Sequence, residues 1–476
     1  MHFIKELIFL ILVAFIIEGR RRSEIRDETR KSLSDRSKKN FDDTIGGLKR
    51  LNKLQRRLMG LKDRNETKDE DAEVVVESPM ENEDLYQGDI ILTEEQIDEI
   101  VDGMVEQAEE KKINVSDIES RARKPKRGKR SISSSLNNMW TSPIPYYVDT
   151  GVNATLVTAA LKGIESETCI RFTKSATPIT GKPGLKYFKG SGCWSYIGRI
   201  YTNASQEVSI GQGCGSNAII QHETAHALGV YHEQSRTDRH LYVSIKTENI
   251  IAGKESNFAG NVPGYVSEYG IPYDFGSVMH YGRFSFSKND NQTIVAFNNG
   301  FNRVMGQRNK LSFNDIKLIN FKYCNSSCPT KINCQNGGYP NPNKCDECKC
   351  PLGFYGILCL KYVTSPSTTC GNQFLTATTT LKTLKITGAL NCYFLINTTS
   401  SYQVKLNVVT TNLPVSDPCF SGKGLEIKFK QDKTSTGINL CGVNKNQQII
   451  TESNSAIIHY VAGLATHNFT LTYVRA

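Results

Sequence analysis

Residues Ala218–Arg239 read AIIQHETAHALGVYHEQSRTDR. His222, Glu223 and His226 form H-E-x-x-H, and Gly229 and His232 extend it to H-E-x-x-H-x-x-G-x-x-H. On a helix that turns about 100° per residue, His222 and His226 stand one turn apart on one face, with Glu223 at its border. Ile219, Ile220, Ala225 and Leu228 are available to bury the other side. Gly229 can take a left-handed conformation, ending the helix and bringing His232 back to the same point. Three imidazoles with an open position describe a catalytic zinc site rather than a closed structural one. H-E-x-x-H alone occurs often by chance, but three of only eight histidines in 476 residues fall inside this stretch.

Outward from the motif, the N-terminal part of the chain has a different character, with no cysteine in the first 168 residues. Leu7–Ile17 is an unbroken run of eleven apolar residues, preceded by Lys5 and followed by Glu18, Gly19 and three arginines. It is short for a hydrocarbon core of about 30 Å and reads as a signal peptide over residues 1–19, with a signal anchor as the alternative. The expectation is a secreted, extracellular protein without stable membrane insertion. An oxidising compartment lets all fourteen cysteines pair. The N-x-S/T sequons at Asn65, Asn114, Asn153, Asn203, Asn291, Asn325, Asn397 and Asn468 suit the same route as glycosylation candidates.

Residues 20–130 read as a propeptide. Its basic block, 20–64, holds a possible helix over Phe41–Lys62, and its acidic tract covers 66–84. Such charge blocks are expected to stay loose or act as solvated spacers. No nucleic-acid partner is expected, because the basic block lacks aromatic interleaving. The formal net charge of +10 therefore says little about a mature protein. Residues 121–130, RARKPKRGKR, end in an R-x-K-R pattern at Arg127, Lys129 and Arg130. A proprotein-processing protease is expected to cut between Arg130 and Ser131, which makes the chain a zymogen.

From Trp140 to Cys324 the chain is long enough for one substantial domain. Ile144–Val148 reads as a strand and Ala154–Ser166 as a helix with Val157, Ala160, Leu161 and Ile164 on its apolar face. Short strands are expected around Ile170–Phe172, Gly192–Arg199 and Val208–Ile210, with the metal helix beneath the sheet.

The motif continues as G-V-Y-H-E-Q-S-R-T-D-R to Arg239, followed by Y-V-S-I at Tyr242–Ile245, Asn249-Ile250 and S-V-M-H-Y at Ser277–Tyr281; C-W-S-Y-I-G-R at Cys193–Arg199 belongs to the same pattern. Over residues 131–324 the chain resembles the astacin family of zinc metalloendopeptidases, within the metzincins. That resemblance implies an α+β catalytic domain with a zinc helix and a Met-turn, binding one Zn2+ through His222, His226 and His232. It makes Glu223 the general acid–base and Met279 the tight turn under the metal. Tyr281 becomes a further ligand that swings away to stabilise the transition state, and Glu233 lies near the mature N-terminus. It also implies Cys169–Cys324 and Cys193–Cys214 disulfides. His240, where the family usually has aspartate, and Ala218-Ile219, in place of Gly-Thr, depart from the pattern without touching a ligand. In the propeptide, Tyr86-Gln-Gly88-Asp89 resembles the family's F-x-G-D motif, which implies Asp89 as a zinc ligand in the zymogen only.

Six cysteines fall in residues 328–359. With N-G-G at 336–338 and C-P-L-G-F-Y-G from Cys350, residues 325–360 resemble an EGF-like module, implying the pairs Cys328–Cys345, Cys334–Cys348 and Cys350–Cys359. No calcium is expected there, because the usual acidic residues before the first cysteine are missing. Residues 370–476 alternate polar and apolar residues and read as a β-sandwich. They resemble a CUB domain, implying Cys370–Cys392 and Cys419–Cys441 and a possible matrix partner. Together these readings describe a multidomain secreted zinc endopeptidase of extracellular, matrix or cuticle proteins. The alternative is a catalytically silent adhesion protein on a protease scaffold, disfavoured by the intact His222, Glu223, His226, His232 and Tyr281.

Overall fold

The computed structural model describes residues 20–64, 73–74, 78–118, 139–261 and 266–476. The expected signal peptide, the Arg130–Ser131 junction and the Asn65 sequon lie outside them. Helices α1 (Arg22–Ser32) and α2 (Asp35–Leu58) occupy the basic block, and β1 (Ile90–Ile91) and α3 (Glu94–Glu110) follow the acidic tract. This corrects the expectation of a loose spacer. Phe41, Leu48, Leu51, Leu54 and Leu58 recur at helical spacing, and α2 uses that stripe while its charges face outward in pairs such as Arg30–Asp42. Leu51 and Leu54 pack with Ile97, Val101, Met104 and Val105 of α3, whose start is fixed by a Thr93–Gln96 capping box. Phe41, Leu85 and Ile91 pack with Phe188, Trp194 and Tyr196 of the following domain. Each such side chain contributes about 1.5–3 kcal/mol on burial, enough to order a segment that charge alone would leave solvated.

The next domain is built on one sheet. β2 (Ile144–Val148), β3 (Phe172–Lys174), β4 (Gly184–Phe188), β5 (Cys193–Tyr196) and β6 (Ser205–Ile210) join β1 in the order β1-β5-β6-β4-β2-β3. β5 runs antiparallel to β6, and β1 from the N-terminal segment lies parallel to β5 along its outer edge. β4 is not among the strands expected from the sequence. It is central and buried, but Lys186 breaks a run too short to stand out. Beneath the sheet, α4 (Ala154–Glu167) buries Val157, Ala160, Leu161 and Ile164 against α5 (Asn217–Ala227). The Cys193–Cys214 disulfide closes the loop in front of α5. After a β7 (Val243–Ile245) and β8 (Ile294–Ala296) pair, α6 (Phe313–Tyr323) ends at Cys324, which is bonded to Cys169 beyond α4.

Residues 328–359 carry three disulfides, Cys328–Cys345, Cys334–Cys348 and Cys350–Cys359, around two short hairpins. Beyond them lies a β-sandwich of two sheets. One sheet orders β9 (Phe374–Thr376), β11 (Asn391–Asn397), β16 (Ser455–Val461), β13 (Gly424–Lys428) and β14 (Ile438–Leu440); the other orders β10 (Lys382–Thr387), β17 (Asn468–Arg475), β12 (Val404–Asn412) and β15 (Val443–Ile450). Cys370–Cys392 and Cys419–Cys441 complete the pairing of all fourteen cysteines. The sandwich core is continuous with the lower half of the preceding domain, joining Val243, Tyr273, Phe275 and Phe301 to Phe394, Ile427 and Phe469. Of the sequon asparagines described, Asn114, Asn153, Asn203, Asn291, Asn325 and Asn397 are exposed and Asn468 is half-buried.

Candidate active site

α5 starts at Ser216, whose side chain accepts the Ile219 amide. Its histidines are oriented by their outer nitrogens. His222 Nδ1 donates to the Val278 carbonyl at 2.9 Å and His226 Nδ1 to the Val230 carbonyl at 2.8 Å. A carbonyl only accepts, so the proton stays on Nδ1 and the Nε2 lone pair faces inward, ready for a metal. Gly229 takes φ +84° at the end of the helix, and an added Cβ would collide with Lys322 there. The turn returns His232 beside the other two, with its Nδ1 against Gln87 Oε1 at 2.9 Å.

The fourth group at this point comes from the N-terminal segment, ahead of the sheet domain. Asp89 Oδ2 lies 3.1 Å from His222 Nε2 and 3.2 Å from His232 Nε2, and Asp89 Oδ1 lies 3.5 Å from His226 Nε2. All four side chains are buried, and their ligand atoms lie within 4.8 Å of one another. Asp89 Oδ1 and His226 Nε2 have no hydrogen-bond partner, so the donor set fits a tetrahedrally held zinc ion. Local backbone geometry delivers the carboxylate. Gln87 and Gly88 take φ of +48° and +78°, and a Cβ on Gly88 would sit 2.7 Å from the Met80 carbonyl oxygen. β1 then carries the chain away along β5, with the Ser195 amide donating to the Asp89 carbonyl at 2.9 Å.

Glu223 borders the cluster, with both carboxylate oxygens buried and without a partner. Burial, reinforced by the charge of Asp89, holds its carboxyl well above the usual carboxylate range. For Asp89 burial acts in the same direction, but His232, His226 and His222 outweigh it and hold that carboxyl well below its ordinary value. Burial pushes His222 down to about 3. The Tyr281 phenol, kept neutral by burial and the Asp89 charge, donates to the Gln87 carbonyl at 2.5 Å. Met279 is 1% exposed, and its carbonyl accepts the Glu233 amide at 3.1 Å. The Glu233 carboxylate accepts the Asp274 amide at 2.8 Å, and burial pushes its carboxyl up to about 8.

Two participants are absent from the sequence-based expectations. Gln87 engages both His232 and Tyr281; its neighbours Tyr86, Gly88 and Asp89 were the only cue to its place. Arg308 is half-buried next to the site, donating to the His280 and Gln307 carbonyls at 3.0 and 2.9 Å, with Nε 3.4 Å from Met80 Sδ. Burial lowers its pKa, opposed by Asp89, Glu223 and Glu81. No local pattern distinguishes this arginine from the other cations of the chain.

Residues 132–324 match the Astacin peptidase family, and residues 370–473 match the CUB domain. The chain is similar to zinc metalloproteinase nas-34 of Caenorhabditis elegans, 39% identical over 428 residues, covering 89% of this chain and 69% of that protein. It is 36% identical over 379 residues to zinc metalloproteinase nas-30 of the same organism, covering 79% of this chain but 48% of that longer protein. Among solved structures, high choriolytic enzyme 1, a hatching enzyme zinc-protease from Oryzias latipes, is 35% identical, with 40% of this chain and 96% of that chain covered and a TM-score of 0.36.

Proposed function

The chain belongs to the astacin family of zinc metalloendopeptidases and carries a CUB domain, and from that premise we propose that it is a secreted zymogen whose mature form cleaves extracellular, matrix or cuticle proteins. The observation that carries the latency is Asp89, whose carboxylate fills the space between the three Nε2 atoms where an attacking water would have to enter. Secretion is supported by fourteen paired cysteines. Among the described residues no helix is long and apolar enough to cross a membrane. Residues 325–360 are assigned to an EGF-like module on their six cysteines and pairing.

His222, His226 and His232 would hold a zinc ion, which when bound would supply a Lewis acid for the scissile carbonyl and make an attacking water easier to deprotonate near neutral pH. Release of the propeptide frees the β5 edge for an extended substrate and removes Asp89. Glu223, unpartnered and adjacent to His222, accepts a proton from the attacking water and passes it to the departing amine. Tyr281, freed from the Gln87 carbonyl, donates its phenolic hydrogen to the oxyanion. Val278 and Val230 carbonyls keep two of the imidazoles in the required tautomer throughout.

The test is to express the full chain in a secretory host and sequence the N-terminus of the active product while assaying a quenched peptide library. A start at Ser131, with activity appearing only after that cut, is expected. Full activity in a product that still begins well upstream of Arg123 would overturn the proposal.

A further inference from the structure

The stretch Tyr273–Gly276, just before the Met279 turn, is held from two sides. Toward the metal site, the Asp274 amide donates to Glu233, the residue directly after His232, and the Asp274 carbonyl accepts the Ser277 amide at 3.0 Å. From the opposite side the contacts come from the CUB domain. The Thr436 amide donates to Asp274 Oδ1 at 3.0 Å, alongside the Gly276 amide at the same distance. The Ser435 hydroxyl donates to the Tyr273 carbonyl at 3.1 Å and accepts from the Asn314 side-chain amide at 3.2 Å. Gly276 leaves the room this approach needs, since a Cβ there would run into the Thr436 side chain.

These bonds are shielded from water. Asp274 is 1% exposed and Ser435 4%, and Asp274 Oδ2 has no partner of its own. Its buried carboxylate therefore depends on the two amides that reach Oδ1, one of them from another domain. The surrounding packing is equally shared. Lys430 of the CUB domain sits over the rings of Tyr242, Phe275 and Phe301 at 5.4, 5.3 and 5.2 Å. Arg283 forms a bidentate pair with Asp417 at 2.8 and 2.7 Å.

We propose that the CUB loop Lys433–Gly437 is a positioning element of the catalytic centre: through Thr436 and Ser435 it fixes Asp274, and through Asp274 it fixes Glu233, His232 and the Met279 turn. The CUB domain thus supports the site from below, in addition to any partner it binds. The inference rests on the reading of the chain as an active zinc peptidase. Outer partners of metal ligands typically carry 10- to 100-fold in activity or metal affinity, which sets the expected size of the effect.

The experiment uses the full-length, processed, zinc-loaded enzyme and a quenched peptide of a few residues, too short to reach the CUB domain. Thr436→Pro deletes the amide that reaches Asp274. Should it fail to fold, the Ser435→Ala/Lys430→Ala double variant loosens the same contact without touching the backbone. Lys445→Ala, on the exposed outer face of the CUB domain, is the control. Expected is a 10- to 100-fold fall in kcat with KM within about twofold. In zinc-free protein, the Asp274 amide should also exchange its hydrogen faster than in the parent. Parental kcat on the short peptide with unchanged exchange, whether or not large protein substrates suffer, would overturn the proposal and leave the CUB domain as a docking module. A processed parent that cannot cleave the peptide would instead refute the peptidase reading, and exchange at Asp274 would still decide the clamp.

Discussion

Asp84, five residues before Asp89, is where the packing of the N-terminal segment is best tested. Its carboxylate is 2% exposed and accepts four hydrogen bonds: from Arg22 Nε and Nη2 at 3.0 and 2.7 Å, and from Arg26 Nε and Nη2 at 3.1 and 3.0 Å. Glu83 beside it pairs with Lys254 of the catalytic domain at 2.6 Å. Asp84→Ala removes the carboxylate that two guanidinium groups share, while Arg22 keeps its contacts to the Glu83 carbonyl and carboxylate. Breaking a buried pair costs about 3–5 kcal/mol. The arginine side chains here are 20% and 23% exposed and can recover water, so about 2–3 kcal/mol is the fitting figure. At 1.4 kcal/mol per decade this makes local opening of α1 about 30- to 150-fold more frequent. Native-state hydrogen exchange on an Arg130→Ala precursor at pH 7 should show that loss of protection over Arg22–Ser32. Burial works to raise the Asp84 pKa, but the Arg26 hydrogen bonds and the Arg22 and Arg26 charges outweigh it, so the folded value is depressed. The stabilisation is then complete above the unfolded carboxylate pKa of about 3.9 and disappears as pH falls through the lower folded value. Parent and variant should converge in strong acid. Equal protection of α1 at pH 7 in both proteins would refute the role of Asp84 in holding that helix.

Glu223→Ala should keep its zinc, by metal analysis, while peptide hydrolysis falls by about 10²–10⁴-fold; near-parental turnover would remove its role as acid–base. Tyr281→Phe deletes only the hydroxyl now held by Gln87, and in the mature enzyme kcat should drop by about 10²-fold with little change in KM. A change confined to KM would assign that tyrosine to substrate binding alone.

The metal ligands were legible because His222, His226 and His232 lie within one helix and one turn, where spacing along the chain is spacing in space. Tyr281 and Met279 lie far from them in sequence, so resemblance to a family had to supply what periodicity could not. Asp89 came from the same source, but the backbone that presents it, left-handed at Gln87 and Gly88, was visible only at the glycine. The α3 helix carries both a capping pair, Thr93 and Gln96, and an apolar stripe at Ile97, Val101, Met104 and Ala108. Many acidic residues stand between those apolar positions, and the sequence-based expectations include no element there. The link from Thr436 to Asp274 crosses 162 residues and rests on a backbone amide, which has no signature in sequence.

Latency through Asp89 is tested most directly by activity without processing. The Arg130→Ala precursor and the same precursor carrying Asp89→Ala should both contain one zinc, since His222, His226 and His232 remain in place. On a short quenched peptide the parent should be inactive and the Asp89→Ala protein partly active, the remaining propeptide still covering the β5 edge. Equal, negligible activity in both, with water rather than Asp89 on the parent's zinc in a crystal structure, would contradict the switch and leave steric covering as the whole of the inhibition.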